Sequence, residues 1–257
     1  MIKRLVLGLI DNMGFKLERK DTCEPYNNIA AELTSEEISL IKSVCENKYT
    51  MVSIPRLVAT LLACKYVVKN NIPGDFVECG VWRGGNSILA KKTFEFLGSD
   101  KRVYMFDTFE GMTEPTEFDN SIRTGTNAKQ KYQDNLNEFH SEWCYASLQD
   151  VQNNVVASGI DLDSMKFIQG DVLKTLNIET NLPDEISVLR LDTDWYESTK
   201  KELEVLYPLL KTKGVLIIDD YGHWEGARKA VDEYFNTSDY KPLFNVTDYS
   251  GRLAIKH

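Results

Sequence analysis

The sequence predicts an α/β protein with a mostly parallel sheet and crossover helices. Three observations predict it: short apolar runs alternate with helix-length stretches after residue 70, a glycine-rich turn follows the first run, and acids close the later ones. Such alternation is the pattern of a parallel sheet with helices on both faces.

The chain divides into a helical extension, residues 1–70, and a sheet-bearing domain, residues 71–257, with an insertion around 110–150. In the extension, Thr34-Ser35-Glu36-Glu37 reads as an N-cap and first-turn acids, and Ile38, Ile41 and Val44 follow at helical spacing. A second helix carries Leu57, Val58, Leu61, Leu62, Cys64 and Val67 and stops near Asn70, Asn71 and Pro73. Strands are expected at Phe76 to Cys79, Val103 to Phe106, Met165 to Ile168, Val188 to Leu191 and Val215 to Ile218. Pro242 to Val246 and Arg252 to Ile255, joined by Thr247-Asp248-Tyr249-Ser250-Gly251, predict an antiparallel end to the sheet. Between the second and third strands, a polar stretch (113–127) and a helix-like stretch from Ala128 to Val156 with Tyr132, Phe139, Trp143 and Tyr145 form the insertion. Long loops at the functional edge of a sheet tend to be lids or substrate contacts, the other reading being a surface decoration.

A length of 257 residues suits one α/β core with an added segment. The formal net charge of −9 argues against a nucleic-acid binder, which needs a concentrated basic face, and favours a small or carbohydrate-like substrate. Five cysteines, odd in number and without a Cys-x-x-Cys pair, indicate neither a disulfide framework nor a zinc site, so a reducing, cytoplasmic setting is expected. Residues 1–20 pattern as a basic amphipathic helix, with Lys3, Arg4, Lys16, Arg19 and Lys20 against Asp11 and Glu18. Docking on the body of the protein or a partner subunit is the favoured reading, and peripheral membrane contact the other. The apolar surface of the extension also offers a homo-oligomer contact.

The strongest chemical signal is the acids. Asp192 and Asp194 close one strand and Asp219 and Asp220 the next. Ligands of an open parallel sheet bind outside the carboxyl ends of its strands, so these carboxylates can converge on one crevice. An all-oxygen set reads as a site for a hard cation, with Mg2+ its natural occupant. His223, just beyond, is an alternative base or substrate contact, or a loop histidine with local hydrogen bonds. Arg190, alternating in direction with Leu189 and Leu191, reads as structural and paired with an acid.

Phe76-Val77-Glu78-Cys79-Gly80-Val81-Trp82-Arg83-Gly84-Gly85-Asn86-Ser87 runs from a strand through a glycine turn into a helix. Trp82 stands where a dinucleotide fingerprint needs its second glycine, which disfavours NAD and FAD. A cofactor without phosphates fits better, and S-adenosylmethionine is the candidate. Gly80, Trp82, Gly84 and Ser87 would face it. Asp107, followed by Thr108, ends the second strand where a carboxylate can hold ribose hydroxyls, with a helix cap or solvated loop acid as the other reading. Glu78 is expected at the cofactor's cationic amino group, because a buried acid without a partner is costly. Asp171, after Gly170, is assigned to the adenine amino group.

Four ordered blocks carry a resemblance: residues 74–85, Phe106-Asp107-Thr108-Phe109-Glu110-Gly111-Met112, Leu189 to Thr199 around Asp192-Thr193-Asp194, and Ile218-Asp219-Asp220-Tyr221. Over residues 51–235 the chain resembles the macrocin O-methyltransferase family, metal-dependent enzymes that methylate sugar hydroxyls. The resemblance implies a Rossmann-like class I methyltransferase sheet, seven-stranded with one antiparallel strand, and S-adenosylmethionine as methyl donor. It also implies Mg2+ on Asp192, Asp219 and Asp220, Asp194 as general base and a sugar-containing acceptor. The family often has Gly where this chain has Thr193, and a Gly-Trp-Phe-like segment where it has Gly170-Asp171-Val172. Two rivals stay open at this stage. A glycosyltransferase also uses Asp-x-Asp, although the glycine turn then lacks a purpose. A non-catalytic member of the fold would have no need of clustered acids that repel one another.

Overall fold

The computed structural model describes residues 29–138 and 140–257. The basic amphipathic helix expected in residues 1–20 and the aromatic Phe139 lie outside them. Of the N-terminal unit Met1–Leu33, the described residues form a turn in which the Leu33 N–H donates to the Ala30 carbonyl at 3.1 Å. The second unit is Thr34–His257.

Helix α1 (Ser35–Glu46) starts in a capping box. The Glu37 N–H donates to Thr34 Oγ1 at 3.3 Å, and the Thr34 N–H donates to Glu37 Oε2 at 2.9 Å, so two otherwise orphaned donors are satisfied reciprocally. Helix α2 (Ile54–Lys69) carries Pro55 in its first turn, where the missing N–H costs nothing, and ends at Asn70 and Asn71, the latter at φ +53°. Both helices pack on α3 (Gly85–Phe96).

Seven strands form one sheet in the order β3-β2-β1-β4-β5-β7-β6. They are β1 (Asp75–Cys79), β2 (Val103–Asp107), β3 (Met165–Gln169), β4 (Ile186–Leu191), β5 (Leu210–Ile218), β6 (Asn245–Val246) and β7 (Arg252–Ile255). The first five run parallel, and β7 pairs antiparallel with both β5 and β6. Strand order reverses between β1 and β4, the position at which an open α/β sheet leaves a crevice at its carboxyl edge.

Alternation along the strands sorts the side chains. Cys79, Leu189, Leu191, Leu216 and Ile218 face a core completed by Leu203 and Leu206 of α7 (Tyr196–Leu206) and Val231 and Phe235 of α8 (Glu225–Thr237). Side chains one position away emerge on the opposite face, toward α2 and α3. Glu78, Arg190, Asp192 and Asp219 are such neighbours, so one pleat parity brings them together.

The insertion differs from the expected single helical stretch. It contains α4 (Ala128–Asp134) and α5 (Leu148–Ala157), separated by a looped segment. The local chemistry explains the break. Asn135 caps α4, Cys144 takes φ +54°, and Ser147 restarts the helix by accepting from the Asp150 N–H at 3.1 Å. Asp119 ties the insertion to the domain: its Oδ1 accepts from the Tyr196 N–H at 2.8 Å and its Oδ2 from the Thr116 N–H at 2.7 Å. A Cβ on Gly226 would overlap that same carboxylate, so the approach requires glycine. A short helix, α6 (Val172–Thr175), follows β3. Among the described residues, no helix is long and apolar enough to cross a membrane.

Candidate active site

A cavity of about 420 Å³ opens at the carboxyl edge of β1, β4 and β5. Gly80, Trp82, Asp107, Asp192, Asp194, Asp219, Asp220 and His223 line it, so the structure gathers most of the sequence-predicted site in one place. An adjoining cavity shares Gly80, Asp107 and Asp192 and adds Thr108, Asp171, Thr193 and Ser198.

Under this floor lies a buried charge hub. Arg190 is wholly buried, and its guanidinium donates to Glu78 Oε1 at 2.7 Å, to Asp192 Oδ2 at 2.6 Å and to Asp219 Oδ1. Burial works against its charge, but Asp192, Asp219 and Glu78 together keep it protonated. The expected pairing of Arg190 with an acid is therefore met three times. Arg56, on α2, pairs with the other oxygen of Asp219 and, at 3.0 Å, with Asp248 in the β6–β7 turn.

The hub gives Glu78 a partner within the protein. Its second oxygen accepts from the Ser87 hydroxyl, and neither Glu78 nor Ser87 lines either cavity. The partner expected of a buried acid is met inside the protein by the Arg190 guanidinium. Burial pushes Glu78 up to about 7, against the pull of Arg190 and Ser87. Gly84 also stands outside the cavities; at φ +86° it opens α3 and packs on Val151 of α5 and Met105 of β2.

Asp107 sits beside the cavity and organises the glycine turn. Its Oδ2 accepts from the Val81 and Trp82 N–H groups at 2.7 and 3.1 Å, and its Oδ1 from the Phe109 N–H at 2.8 Å. Burial raises its pKa against those bonds. Thr108 stands 3.3 Å from Oδ1 but spends its one hydroxyl proton at 2.7 Å on the Gly111 carbonyl, leaving Oδ1 room for another donor. Asp171 caps α6 by accepting from the Leu173 N–H at 2.9 Å while lining the second cavity. Gly80, at φ +80°, lies so close to the Asp192 backbone that a Cβ would meet the Asp192 carbonyl carbon at 2.6 Å.

The acids do not all behave alike. Asp192, Asp194 and Asp220 each offer a carboxylate oxygen within 4.8 Å of the others. Asp219, assigned to the metal on the resemblance, is outside that trio, and Arg56 and Arg190 hold its two oxygens. Burial raises Asp192 and Asp220 well above the usual carboxylate range, each further raised by neighbouring acids. Burial, with the charges of Asp192 and Asp219, pushes Asp194 up to about 7 while its carboxyl lies against that of Asp220. Asp220 Oδ2 is buried and receives no donor. An all-oxygen cluster with an unsatisfied buried oxygen fits a hard divalent cation.

Backbone strain collects here. Trp82, Phe109 and Asp194 take φ of +46°, +54° and +69°, a region costing side-chain-bearing residues about 1 kcal/mol or more and held only where the surroundings impose it. The Asp192–Asp194 loop is braced from below: Thr193 Oγ1 lies 2.8 Å from Glu202 Oε1 and 2.9 Å from Ser198 Oγ. Burial pushes Glu202 up to about 8, the Thr193 hydrogen bond opposing it. The folded protein thus holds this proton between its unfolded pKa near 4.5 and about 8, and stability falls as pH rises through that window. Glu202→Gln is expected to remove this dependence, gaining on the parent by about 1 kcal/mol per pH unit across the window in urea titrations at several pH values. Parallel pH profiles for the two proteins would contradict it.

The outer wall is aromatic. Trp195 packs edge to face on both Trp143 and Trp224, which are tilted to each other, with ring centres 5.0 to 6.0 Å apart, and Trp143 and Trp224 line the cavity with Met112 and Lys131. His223 rests edge-on against Trp224 at 4.8 Å, and its Nδ1 lies 3.1 Å from Tyr249 Oη. Burial, helped by Arg56, Lys131 and Arg123, lowers its pKa and keeps it neutral at physiological pH. Sequence reasoning missed Arg56, Lys131, Trp143, Trp224 and Tyr249 as site residues. The aromatic richness of the insertion was the only signal, and nothing local marks Arg56.

The strand order, the glycine turn over the β1 end and the acids at the ends of β4 and β5 define a class I methyltransferase fold with a candidate cation cluster. The sequence matches the Macrocin-O-methyltransferase (TylF) family over residues 18–252, and the chain belongs to that family. It is 34% identical over 188 residues to the 8-demethyl-8-(2,3-dimethoxy-alpha-L-rhamnosyl)-tetracenomycin-C 4'-O-methyltransferase of Streptomyces olivaceus, covering 72% of this chain and 67% of that enzyme. It is 30% identical over 233 residues to the mycinamicin III 3''-O-methyltransferase of Micromonospora griseorubida, covering 89% and 80%. The structure of the O-methyltransferase NovP superposes with a TM-score of 0.70 at 30% identity, covering 81% of this chain and 82% of that one. The protein is therefore an enzyme that methylates hydroxyl groups, and both rival readings fall.

Proposed function

We propose that the enzyme moves the methyl group of S-adenosylmethionine to a sugar hydroxyl of a glycosylated acceptor, with Mg2+ at the acid cluster. The adjacency of that cluster to the glycine-turn cavity carries this reading, since Gly80, Asp107 and Asp192 border both spaces. The names of the relatives, which act on rhamnosyl and mycinamicin substrates, support a sugar acceptor.

In this reading the close approach of Gly80 leaves room for the methionine portion, Asp107 Oδ1 receives a ribose hydroxyl, and Asp171 borders the adenine. Asp192 and Asp220 are common to the set implied by resemblance and the cluster seen in the fold, and each keeps an oxygen free of the arginines. They would hold the cation, which when bound lowers the pKa of an alcohol and fixes its position. Asp194 takes the hydroxyl proton as the new O–CH3 bond forms and the S–CH3 bond breaks. Asp219, fixed by two arginines, keeps the floor in register. Trp143 and Trp224 exclude water and offer flat faces to a sugar ring. The expected compartment is the cytoplasm, in keeping with the buried thiols of Cys64 and Cys79.

Transfer of labelled methyl to a panel of glycosylated acceptors tests this reading. Activity is expected with Mg2+, lost in a chelator and restored by the metal. Because the cluster holds protons near neutrality, Mg2+ affinity is expected to rise as pH increases through about 7, with proton release on binding detectable by calorimetry in buffers of different ionisation enthalpy. Full activity in chelator, or metal affinity independent of pH, would contradict the cation assignment.

A further inference from the structure

The insertion brings Lys131 to the wall of the cavity and Arg123 onto the Tyr249 ring that lines it, and among the described residues neither joins an ion pair. Lys131 Nζ stands 4.0 Å from the Trp143 ring centre, and Arg123 Cζ stands 4.6 Å from the Tyr249 ring centre. Trp143, Tyr249 and Lys131 itself line the cavity. Neither Lys131 nor Arg123 joins an ion pair or side-chain hydrogen bond among the described residues. Their neighbours do: Lys129 pairs with Glu114 at 3.3 Å, and Arg56, on the same cavity, pairs with Asp219 and Asp248. A chain of net charge −9 has ample acids with which to neutralise two exposed cations, yet these two rest on aromatic faces. An aromatic face attracts a cation without cancelling its charge.

Lys131 lines the cavity, and Arg123 lies over the Tyr249 ring, whose hydroxyl stands 3.1 Å from His223 Nδ1. Both act on His223, which burial and the charges of Arg56, Lys131 and Arg123 hold neutral. The outer wall therefore presents two cations outside any ion pair beside flat aromatic rings, with Asp194 the carboxylate that feels the charge of Lys131. A neutral sugar would use the rings and leave the charges idle.

We propose that the acceptor sugar carries an anionic oxygen group, a phosphate or a carboxylate, that seats against Lys131 and Arg123 while the ring lies along Trp143 and Trp224. This rests on the sugar-hydroxyl reading of the same cavity and adds the charge of the acceptor. The substrate class is a sugar phosphate, a nucleotide-linked sugar or an acidic sugar. The insertion then acts as the charge-selecting wall of the site. Both cations are exposed, so replacing them should leave the fold intact.

The test uses the full chain in chelator, with tryptophan emission as the readout and inorganic pyrophosphate, glucuronic acid and methyl glucoside as probes. At least one anionic probe is expected to quench emission at concentrations where methyl glucoside does not. Its affinity should fall about tenfold in the Lys131→Met/Arg123→Gln variant, and fall again at raised salt. Pyrophosphate alone would assign a phosphate-bearing acceptor, glucuronic acid alone a carboxylate, and both an anion site of either source. Equal binding of charged and neutral probes, no binding of either anion, or an unchanged affinity in the variant would overturn the proposal. S-adenosylhomocysteine binding, measured alongside, separates the two readings. If it binds both proteins while the anions fail, only the anion inference falls; if it binds neither, the methyl-transfer reading falls and the anion result stands alone.

Discussion

Asp194→Asn is expected to lower turnover by about 10² to 10⁴, the usual contribution of a positioned general base. Asparagine is the informative substitution because it tolerates the left-handed conformation that Asp194 adopts at φ +69°, so the loop geometry should survive. It keeps the size of the side chain and removes the capacity to accept a proton together with one carboxylate of the cluster, so Mg2+ affinity is measured alongside to separate the two effects. S-adenosylhomocysteine affinity should remain within about twofold of the parent, because residue 194 lies outside the adjoining cavity lined by Asp107, Thr108 and Asp171. Single-turnover kinetics with a confirmed acceptor reads the effect. Unchanged turnover would remove Asp194 from the chemistry and turn attention to His223, the other base candidate on the same cavity.

The second large effect falls on stability. Arg190→Leu removes a wholly buried guanidinium that three carboxylates share. Deleting one partner of a buried ion pair typically costs about 3 to 5 kcal/mol, because the charges left behind stay desolvated. The orphaned Glu78 and Asp192 must then take up protons to remain buried, which raises their folded-state pKa values, while Asp219 keeps Arg56. An acid raised in this way loses stability as pH rises above its unfolded value, so the deficit of Arg190→Leu should be smaller near pH 5 than near pH 8. Arg190→Lys should recover part of the loss, since an ammonium is a point charge and cannot span three acids as the planar fork does. Urea unfolding at the two pH values measures both effects. A variant as stable as the parent at pH 8 would show that the hub is electrostatically idle.

The fold was legible because its signals are local. Apolar runs at Phe76, Val103, Met165, Val188 and Val215 became strands, extended at one or both ends where the ladder continued, and Thr247 to Gly251 became the expected hairpin connection. The insertion was harder, since aromatic content alone does not reveal that Asn135 and Cys144 stop a helix. The acids at the ends of β4 and β5 were legible for a topological reason: strand ends at a reversal of strand order share one crevice. How those acids divide their work was not, because it depends on partners distant in sequence. Arg56 reaches Asp219 across 163 residues, and Arg190 reaches Glu78 across 112. The spacing of charges along a chain does not tell which pairs will meet. Alternation along β4 did forecast the direction of Arg190, but not that three carboxylates would converge on it.

The measurement that tests the central claim most directly is calorimetric titration of S-adenosylhomocysteine into the full chain, with and without Mg2+. The account predicts saturable binding in a one-to-one complex, weakened when Asp107→Ala removes the carboxylate beside the glycine turn. No binding of S-adenosylhomocysteine under either condition, with a nucleotide sugar binding in its place, would contradict the methyl-donor assignment on which the proposed reaction rests.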